Sequence, residues 1–279
     1  MPADIPVIVI APDSFKGSLD APAVCAAIAQ GLARVWPDAE LRACPMADGG
    51  EGTLDAVLSR GGTRMTRTVA GASGAPCSAA CGVVASADGP TAVIEIAQVV
   101  GITDPEGMRV PVAERSTTGV GELVRRLLDD GIRRFMIGLG GSSTNDGGAG
   151  MLAALGLRLA DARGRVVAPT PAGLATLAAI DAADLDPRLA DSAITIMSDV
   201  NNPLNGERGA TAIFGPQKGV RAEDVASLDA TIARFAALAE RAVGRGAAAN
   251  AGAGAAGGLG FALQLVGGSF TPAPRSSPD

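Results

Sequence analysis

The sequence predicts an α/β protein in which a parallel sheet is followed by a mixed sheet in a second domain. The 279 residues are enough for one large or two modest domains. Two successive units of strand, loop and helix open the chain, and this order is typical of a parallel sheet with helices outside it. From about residue 65, short alternating runs replace the pattern and indicate antiparallel or mixed strands.

The first two units can be read from their apolar runs. Residues 7–11 form a β-branched run that predicts a strand, and a helical pattern follows at 22–35. The second strand is expected at 40–44 and the second helix at 54–60, where a glycine pair ends it. Strands of the second domain are then predicted at 64–70, 77–85 and 91–96.

Helices and strands alternate again in the rest of the chain. Thr118 is a suitable N-cap for a helix at 119–130, and Asp161 opens a turn that favours a hairpin. The expected elements are a strand at 133–139, a helix at 149–155, a hairpin of 157–160 with 165–168, a strand at 194–198, helices at 224–243 and 246–270, and a frayed tail at 270–279.

Composition narrows the function. Apolar residues make up 47% of the chain and the formal net charge is −6, so a compact protein is expected and neither nucleic acid nor a membrane is its partner. The chain contains no His and no Tyr, which excludes histidine triads, histidine metal sites and tyrosine acids. Acid–base chemistry is left to Asp, Glu, Lys, Cys or a metal-bound water.

The cysteines and the N-terminus favour a reduced, cytoplasmic setting. Cys25, Cys44, Cys77 and Cys81 lack the partners of a zinc site and are expected to be core thiols. The apolar run at 6–11 is too short for a signal peptide or a membrane span.

Four loops that follow predicted strands are rich in Asp, Gly and hydroxyl or amide side chains. In an open parallel sheet, ligands bind at the carboxyl ends of the strands. Such loops suit a phosphate with a divalent cation. Any one loop alone is more typical of a simple turn, and the four together favour a binding site. They span 13–18, 47–53, 138–150 and 198–204.

The glycine-rich stretch 138–150 allows close backbone approach, and the helix after it offers free N–H groups to a phosphate. It is not a standard motif, because Ser143 stands where a dinucleotide fingerprint needs glycine and no Walker lysine follows. A literal fingerprint at 252–257 has no strand before it and is discarded, which disfavours a dinucleotide oxidoreductase.

Lysine is rare in this chain. Of 23 basic residues, only Lys16 and Lys218 are lysines, and both precede a glycine in a predicted loop. A compact ammonium suits a phosphoryl oxygen, although two lysines could also stand at the surface by chance. Five loop carboxylates, each alone more typical of a helix cap, complete the parts of a phosphoryl-transfer site together with the lysines. They are Asp13, Asp48, Glu51, Asp146 and Asp199.

Four long motifs resemble the bacterial glycerate kinase family, of the glycerate 2-kinase type. They are APDSFKGSL at 11–19, PMADGGEGT at 45–53, GLGGSSTNDGGAGML at 138–152, and DVNNPL followed by GATAIFGPQKG at 199–219. The resemblance covers the chain to about Leu265.

The resemblance implies phosphorylation of D-glycerate by ATP and Mg²⁺, usually to 2-phosphoglycerate, in a cleft between two α/β domains. It implies a Rossmann-like domain begun by residues 1–65, an inserted mixed domain at 66–250, and a return helix with a tail at 251–279. A homodimer is left open.

Within these motifs we assign candidate roles to individual residues. Lys16, Asp48 and Asp199 are the expected catalytic residues, with Asp199 as magnesium ligand or general base. Substrate or phosphate is expected to bind Asp13, Ser14, Gly49, Glu51, Gly140, Gly141, Ser142, Thr144, Asn145, Asp146, Asn201 and Lys218.

One departure from the family concerns the C-terminal part. Further strands of the Rossmann-like domain are expected after about residue 265, and 270–279 does not match them. Two parallel strands alone leave long unpaired edges and an uncovered apolar face. Either the chain is truncated or a partner completes the sheet, and a catalytically inactive chain that only binds nucleotide or glycerate is the alternative function.

Overall fold

The computed structural model describes residues 5–13, 15, 18–46, 49–59 and 61–270. The strands are β1 (Val7–Ile10), β2 (Glu40–Ala43), β3 (Thr63–Ala70), β4 (Pro76–Val84), β5 (Thr91–Glu95), β6 (Arg134–Gly138), β7 (Arg158–Asp161), β8 (Leu177–Asp181), β9 (Ala193–Met197) and β10 (Ser269–Phe270). The helices are α1 (Ala21–Val35), α2 (Thr53–Leu58), α3 (Ala97–Val100), α4 (Pro105–Arg109), α5 (Thr118–Asp129), α6 (Ala149–Ala154), α7 (Pro171–Leu174), α8 (Ala210–Phe214), α9 (Val225–Val243) and α10 (Leu259–Leu265).

The N-terminal unit is a parallel pair, β1 with β2, and α1 covers one face of it. Asp20 caps α1 by accepting a hydrogen bond from the backbone N–H of Ala23 at 2.8 Å. The helix buries Val24 and Cys25 beside Ile10, the inward residue at the end of β1. The parallel arrangement predicted from the two opening units is confirmed.

The other face of this pair carries exposed apolar side chains. Val7 and Val9 alternate with the inward positions of β1 and keep 49% and 59% of their surface exposed. Ile5, just before the strand, is also exposed. Parallel sheets are normally covered on both faces, so this face is unusual for the class.

A mixed sheet forms the centre of the molecule in the strand order β10-β9-β6-β5-β4-β3. The four strands from β10 to β5 are parallel, whereas β5, β4 and β3 pair antiparallel. Every residue of β5 is buried, as expected for a central strand. The predicted α/β class, with a parallel and a mixed sheet, is confirmed, and β7 with β8 adds a separate antiparallel pair.

Helices α5, α6 and α10 build the core against this sheet. The inward stripe of α5 consists of Val120, Leu123, Val124 and Leu127, at the spacing of an amphipathic helix. Further along the chain, Phe235 and Phe261 pack edge to face with ring centroids 6.2 Å apart. The core therefore extends from the mixed sheet into the C-terminal helices.

Helix α5 begins one residue earlier than predicted, with Thr117 at the N-cap position instead of Thr118. The Thr117 side chain does not cap the helix. Its hydroxyl donates to Asp146 at 2.8 Å, because a buried carboxylate is a stronger acceptor for it.

The predicted hairpin at 157–160 and 165–168 forms over a short stretch, with a hydrogen bond from the Val167 N–H to the Leu159 carbonyl oxygen at 3.0 Å. Only Ala160 and Val166 form a bridge across the turn, and β7 pairs mainly with β8. The turn signal at 161–164 was real, since the Asp161 N–H bonds to the Arg165 carbonyl oxygen at 2.9 Å. Strand β8 lacks the alternation that would have identified it.

The predicted single helix at 246–270 is wrong. Turns and a bend occupy 248–254, a 3-10 segment follows at Ala255–Gly258, and only α10 is α-helical before β10. Ala256, Gly257 and Gly258 have positive φ angles of 53°, 67° and 98°, which a right-handed helix cannot contain. Glycine readily adopts positive φ angles, and the composition of the segment did not reveal which of its glycines do so.

The mixed sheet starts at Thr63, close to the predicted domain limit near residue 65, but the division at 65 and 250 stays a prediction. Among the helices of the described ranges, none has the length and apolar character that a bilayer crossing requires.

Candidate active site

A cleft of about 810 Å³ lies at the carboxyl ends of β6 and β9, where the N-terminal unit meets the mixed sheet. Parallel strands deliver their following loops to the same edge of a sheet, so loops distant in sequence converge here. Residues that line the cleft come from segments 15–20, 50–55, 102–103, 139–142, 198–200 and 214–218, together with Ala256.

The wall between the two sheets is built by close backbone packing of glycines. Gly140 donates its N–H to the Gly49 carbonyl oxygen at 2.9 Å. A side chain at Gly140 would collide with the Gly50 backbone, and one at Gly49 would collide with the carbonyl oxygen of Met197. The conformation at Gly49, with φ of 92°, also favours glycine. These glycines therefore allow the loop after β2 to pack directly against the ends of β6 and β9.

Lys218 brings a buried positive charge to this cleft. Its side chain lines the cleft yet is only 2% exposed, and its ammonium donates to Ser142 Oγ at 2.8 Å and to the Thr144 carbonyl oxygen at 2.7 Å. Burial lowers the pKa of Lys218 to about 7, with a smaller lowering by Arg115 and an opposing rise from Asp146. An anionic ligand in the cleft would restore the charged form.

Arg115, which sequence reasoning missed, supports the lysine from behind. It is 3% exposed and donates from Nη1 to the carbonyl oxygens of Ser143 and Lys218, each at 3.0 Å. A third hydrogen bond runs from its Nε to the Val110 carbonyl oxygen at 3.0 Å. Arginine is so common in this chain that nothing in the sequence around Arg115 indicated a role in the site.

Asp146 lies behind the cleft wall and is fully buried. Its carboxylate accepts hydrogen bonds from the N–H and hydroxyl of Thr117 and from the N–H groups of Gly148 and Gly150. Burial raises the pKa of Asp146, and these donors act in the opposite direction. In this position the side chain fixes the start of α6 and joins it to α5.

Thr144 and Asn145 are buried beside Asp146. Asn145 donates from Nδ2 to Thr211 Oγ1 at 3.0 Å, whereas its Oδ1 and the hydroxyl of Thr144 have no hydrogen-bond partner among the described residues. Unpaired polar atoms of this kind are costly to bury, so water or a ligand group is expected to reach them.

Carboxylates are also among the side chains that line the cleft. Glu51 accepts a hydrogen bond on Oε1 from the Thr103 hydroxyl at 3.1 Å, and Asp199 follows β9 in an exposed position. Asp55 contributes a third carboxylate at the start of α2 and pairs with Arg64.

The structure thus brings together part of the predicted set. Six predicted site residues line the cleft: Glu51, Gly140, Gly141, Ser142, Asp199 and Lys218. Six described residues do not line it. Gly49, Thr144, Asn145 and Asp146 are buried in or behind its wall, and Asn201 is exposed. Asp13 is half-buried and is likewise absent from the lining. Ser14, Lys16 and Asp48 lie outside the described residues.

Besides Arg115, which lies behind the cleft, sequence reasoning missed several residues that line it. Thr103 follows the short helix α3, for which no periodic signal exists. Gln217 could have been predicted as a lining residue, because it stands beside Lys218 in a motif already singled out. Apolar lining by Phe15, Ile102 and Phe214 gives no signal in sequence, since isolated apolar residues are usual in loops and cores alike.

A mixed α/β scaffold whose strand-end loops place glycines, a buried lysine and carboxylates around one cleft defines an enzyme of the phosphoryl-transfer class. The chain belongs to the glycerate kinase family, whose family model matches residues 8–275. The match continues beyond Leu265, where the motif resemblance was expected to end. The chain is therefore a kinase by family.

Individual relatives agree with this assignment. The chain is 46% identical over 262 residues to a glycerate kinase of Bacillus subtilis (strain 168), covering 92% of this chain and 67% of the relative. It is 44% identical over 258 residues to a glycerate 2-kinase of Escherichia coli (strain K12), with coverage of 92% and 67%. The crystal structure of a protein assigned as glycerate kinase 2 in Salmonella typhimurium LT2 superposes with a TM-score of 0.85 at 44% identity, covering 96% of this chain and 72% of that chain.

Proposed function

We propose that this protein transfers the terminal phosphoryl group of ATP to D-glycerate, with Mg²⁺ as cofactor and 2-phosphoglycerate as the expected product. The observation that carries the proposal is the buried ammonium of Lys218 in a cleft that also contains the Asp199 carboxylate. A buried cation suits phosphoryl oxygens, and a carboxylate suits a hydrated magnesium ion. The names of the relatives support the substrate.

The residues of the cleft fit magnesium. Among residues 5–270, apart from those not described, no three acidic or cysteine side chains form a ready-made metal cage. Magnesium does not need one, because it commonly keeps several waters and binds one or two carboxylates plus substrate phosphates. Asp199 is the residue proposed to hold it, and the bound ion would neutralise phosphate charge.

In the proposed step, the glycerate hydroxyl oxygen forms a bond to the terminal phosphorus while the bond from that phosphorus to the ADP oxygen breaks. The hydroxyl proton passes to an aspartate carboxylate, for which Asp199 and Asp48 are the candidates. Lys218 and the backbone N–H of Gly141 would stabilise the charge on the phosphoryl oxygens.

Other parts of the assignment remain proposals on the same basis. Asp13, Ser14, Lys16, Gly49 and Asn201 are proposed to bind or orient substrate. A cytoplasmic setting is proposed from the reduced cysteines, which are free thiols here.

A coupled assay that follows ADP release tests the activity with purified protein, ATP, Mg²⁺ and D-glycerate. Release that depends on D-glycerate is expected. If ligands raise the melting temperature while no turnover occurs, the alternative of an inactive binding chain is favoured, and the exposed face of the β1–β2 pair is the observation behind that alternative.

Asp199→Ala tests the site. Loss of the carboxylate is expected to lower kcat by about 10²-fold or more, because it removes either a metal ligand or the proton acceptor. Asp191→Ala, at an exposed position before the start of β9, is the matched control and is expected to keep normal turnover. The same loss is expected for Lys16→Ala. Near-normal kcat in Asp199→Ala would remove that residue from the mechanism.

A further inference from the structure

Lys218 reaches the cleft from a short turn and not from a long helix or strand. It ends the 3-10 turn Pro216–Lys218, and the chain changes direction at Gly219, which has a φ of 95°. Its ammonium nevertheless meets acceptors that lie 76 and 74 residues earlier in the chain. A lysine side chain has many rotamers, so its contacts depend on how the backbone of the turn is placed relative to those acceptors.

A single nitrogen of Arg115 connects the backbone of the lysine with the loop that accepts its ammonium. Nη1 donates to the carbonyl oxygens of Lys218 and Ser143, each at 3.0 Å. Ser143 stands between Ser142 and Thr144, the two residues that accept hydrogen bonds from the ammonium. The guanidinium thus joins from the backbone side the same two segments that the lysine joins with its side chain, and the hydrogen bonds form a closed ring.

The guanidinium is itself fixed from a third direction. Its Nε donates to the Val110 carbonyl oxygen at 3.0 Å, and a longer hydrogen bond of 3.5 Å runs from Nη2 to the Met108 carbonyl oxygen in α4. Arg115 is therefore a buried cation whose hydrogen bonds in the described part of the chain all end on backbone carbonyl oxygens. Donors in several fixed directions are a property of the planar guanidinium that an ammonium lacks.

We propose that Arg115 is a positioning residue for Lys218: its buried guanidinium fixes the turn at 216–218 against the loop at 142–144 and so directs the ammonium into the cleft. Arg115 does not line the cleft, so it acts through the lysine and not on the substrate. Its effect on catalysis rests on the proposed function, in which Lys218 stabilises phosphoryl charge, whereas its effect on the placement of the lysine does not.

Acetylation of the lysines tests the positioning without any activity. The chain has two lysines, so mass spectrometry after treatment with acetic anhydride follows Lys218 with Lys16 as the internal reference. The reaction is run at pH 9, well above the Lys218 pKa of about 7. In Arg115→Gln, Lys218 is expected to react at least about tenfold faster than in wild type, because loss of these hydrogen bonds lets the turn and the loop separate more often.

Arg133→Gln is the matched control for this experiment. Arg133 is half-buried and also donates from Nη1 to two backbone carbonyl oxygens, those of Leu128 at 2.9 Å and Ile132 at 2.8 Å. It precedes β6, at the end of the strand away from the cleft, so Lys218 is expected to react there as in wild type. A Lys218 rate in Arg115→Gln no higher than in this control would overturn the proposal, whether or not the protein is active.

A double-mutant cycle tests the effect on catalysis. Arg115→Lys keeps the charge and loses the planar fork, and it is expected to lower kcat/KM by about tenfold, because small displacements of site groups are costly. In a Lys218→Met background the same change is expected to cost less than about twofold, since the group that Arg115 positions is gone. A residue that only stabilises the fold would lower kcat/KM by the same factor in both backgrounds.

Equal losses in the two backgrounds, or no loss in either, would contradict the positioning role. Arg115→Gln completes the cycle if Arg115→Lys does not fold. If the wild-type protein shows no turnover that depends on D-glycerate, the proposed function fails, and the acetylation rates still decide whether Arg115 positions the lysine.

Discussion

Two buried ionisable side chains, Lys218 and Glu95, are placed so that each changes charge near neutral pH. The causes are the same in kind, because burial disfavours the charged form of both. The consequences for a reaction differ. Lys218 is charged below pH 7, where it can attract phosphate, and Glu95 is charged above pH 7.

Lys218→Met tests the lysine. Loss of the buried charge is expected to lower kcat/KM by about 10²-fold, comparable to removal of one preorganised donor in other enzymes. The basic limb of the wild-type kcat/KM profile, near pH 7, is expected to disappear in the variant. Arg221→Met, which removes an exposed cation nearby, is the control. A variant with unchanged kcat/KM would show that the lysine is structural.

The pH dependence of folding tests the burial of Glu95. Its pKa of about 7 in the folded state exceeds its ordinary value of 4.5, so the native state holds more protons than the unfolded state between these limits. Stability therefore falls as pH rises from about 4.5 to 7, by up to about 3 kcal/mol. Urea unfolding at pH 5 and pH 8 measures this difference. Glu95→Gln is expected to reduce it, and an equal difference in both proteins would place the titration elsewhere.

At the scale of elements, the glycine-rich connections decide how closely the segments approach. Gly257 has a φ of 67°, and its N-terminal neighbour Ala256 lines the cleft with a φ of 53°, which is uncommon for a residue with a side chain. The Gly147 N–H bonds to the Gly257 carbonyl oxygen at 2.9 Å, which joins this segment to the start of α6.

Gly257→Ala tests this close approach. A methyl group there would meet the Thr144 carbonyl oxygen, the acceptor of the Lys218 ammonium, so both stability and activity are expected to fall. The cost in unfolding free energy is expected to be about 3 kcal/mol, of which about 1 comes from the left-handed backbone. Gly164 also has a positive φ, of 75°, but a methyl group there would meet open space. Gly164→Ala is therefore expected to cost only the backbone contribution of about 1 kcal/mol. Equal midpoints in urea for the two variants would contradict the packing argument.

Much of this element structure followed from local patterns. The β-branched run of β1, the helical pattern of α1 and the helix expected at 119–130 are local signals, and the structure has these elements within one or two residues of the predicted limits. Strand β8 and the 246–270 segment were missed because their conformation depends on neighbours distant in sequence, β7 for the first and the loop at 144–147 for the second.

At the scale of the whole molecule, the two sheets differ in how completely helices cover their faces. The mixed sheet is packed by helices and its central strand is fully buried, whereas the β1–β2 pair has two strands and an apolar face open to solvent. Two-stranded sheets are marginal on their own, and regions with few buried contacts open at lower free energy than the core.

Native-state hydrogen exchange is expected to show this difference. Amides of β1 and β2 should exchange at least about tenfold faster than those of β5, β6 and β9, because the pair can open without disturbing the central sheet. The amides of the central sheet, measured in the same sample, serve as the control for those of β1 and β2. Uniform protection across both sheets would mean that the two parts unfold as one unit.

The sequence by itself determined the α/β class, the parallel start, the mixed sheet and the loops that surround the cleft. These follow from periodicity, from turn residues and from motifs that stand next to one another along the chain. The chemistry available, without histidine or tyrosine, was fixed equally early.

Only the tertiary structure decided which side chains share the cleft and which are buried behind it. Asp146 and Asp199 look alike in sequence, but one is enclosed by four donors and the other is open to the cleft. The role of Arg115 also depends on contacts between distant segments. Burial and proximity arise when separate loops meet in space, and no local pattern contains that information.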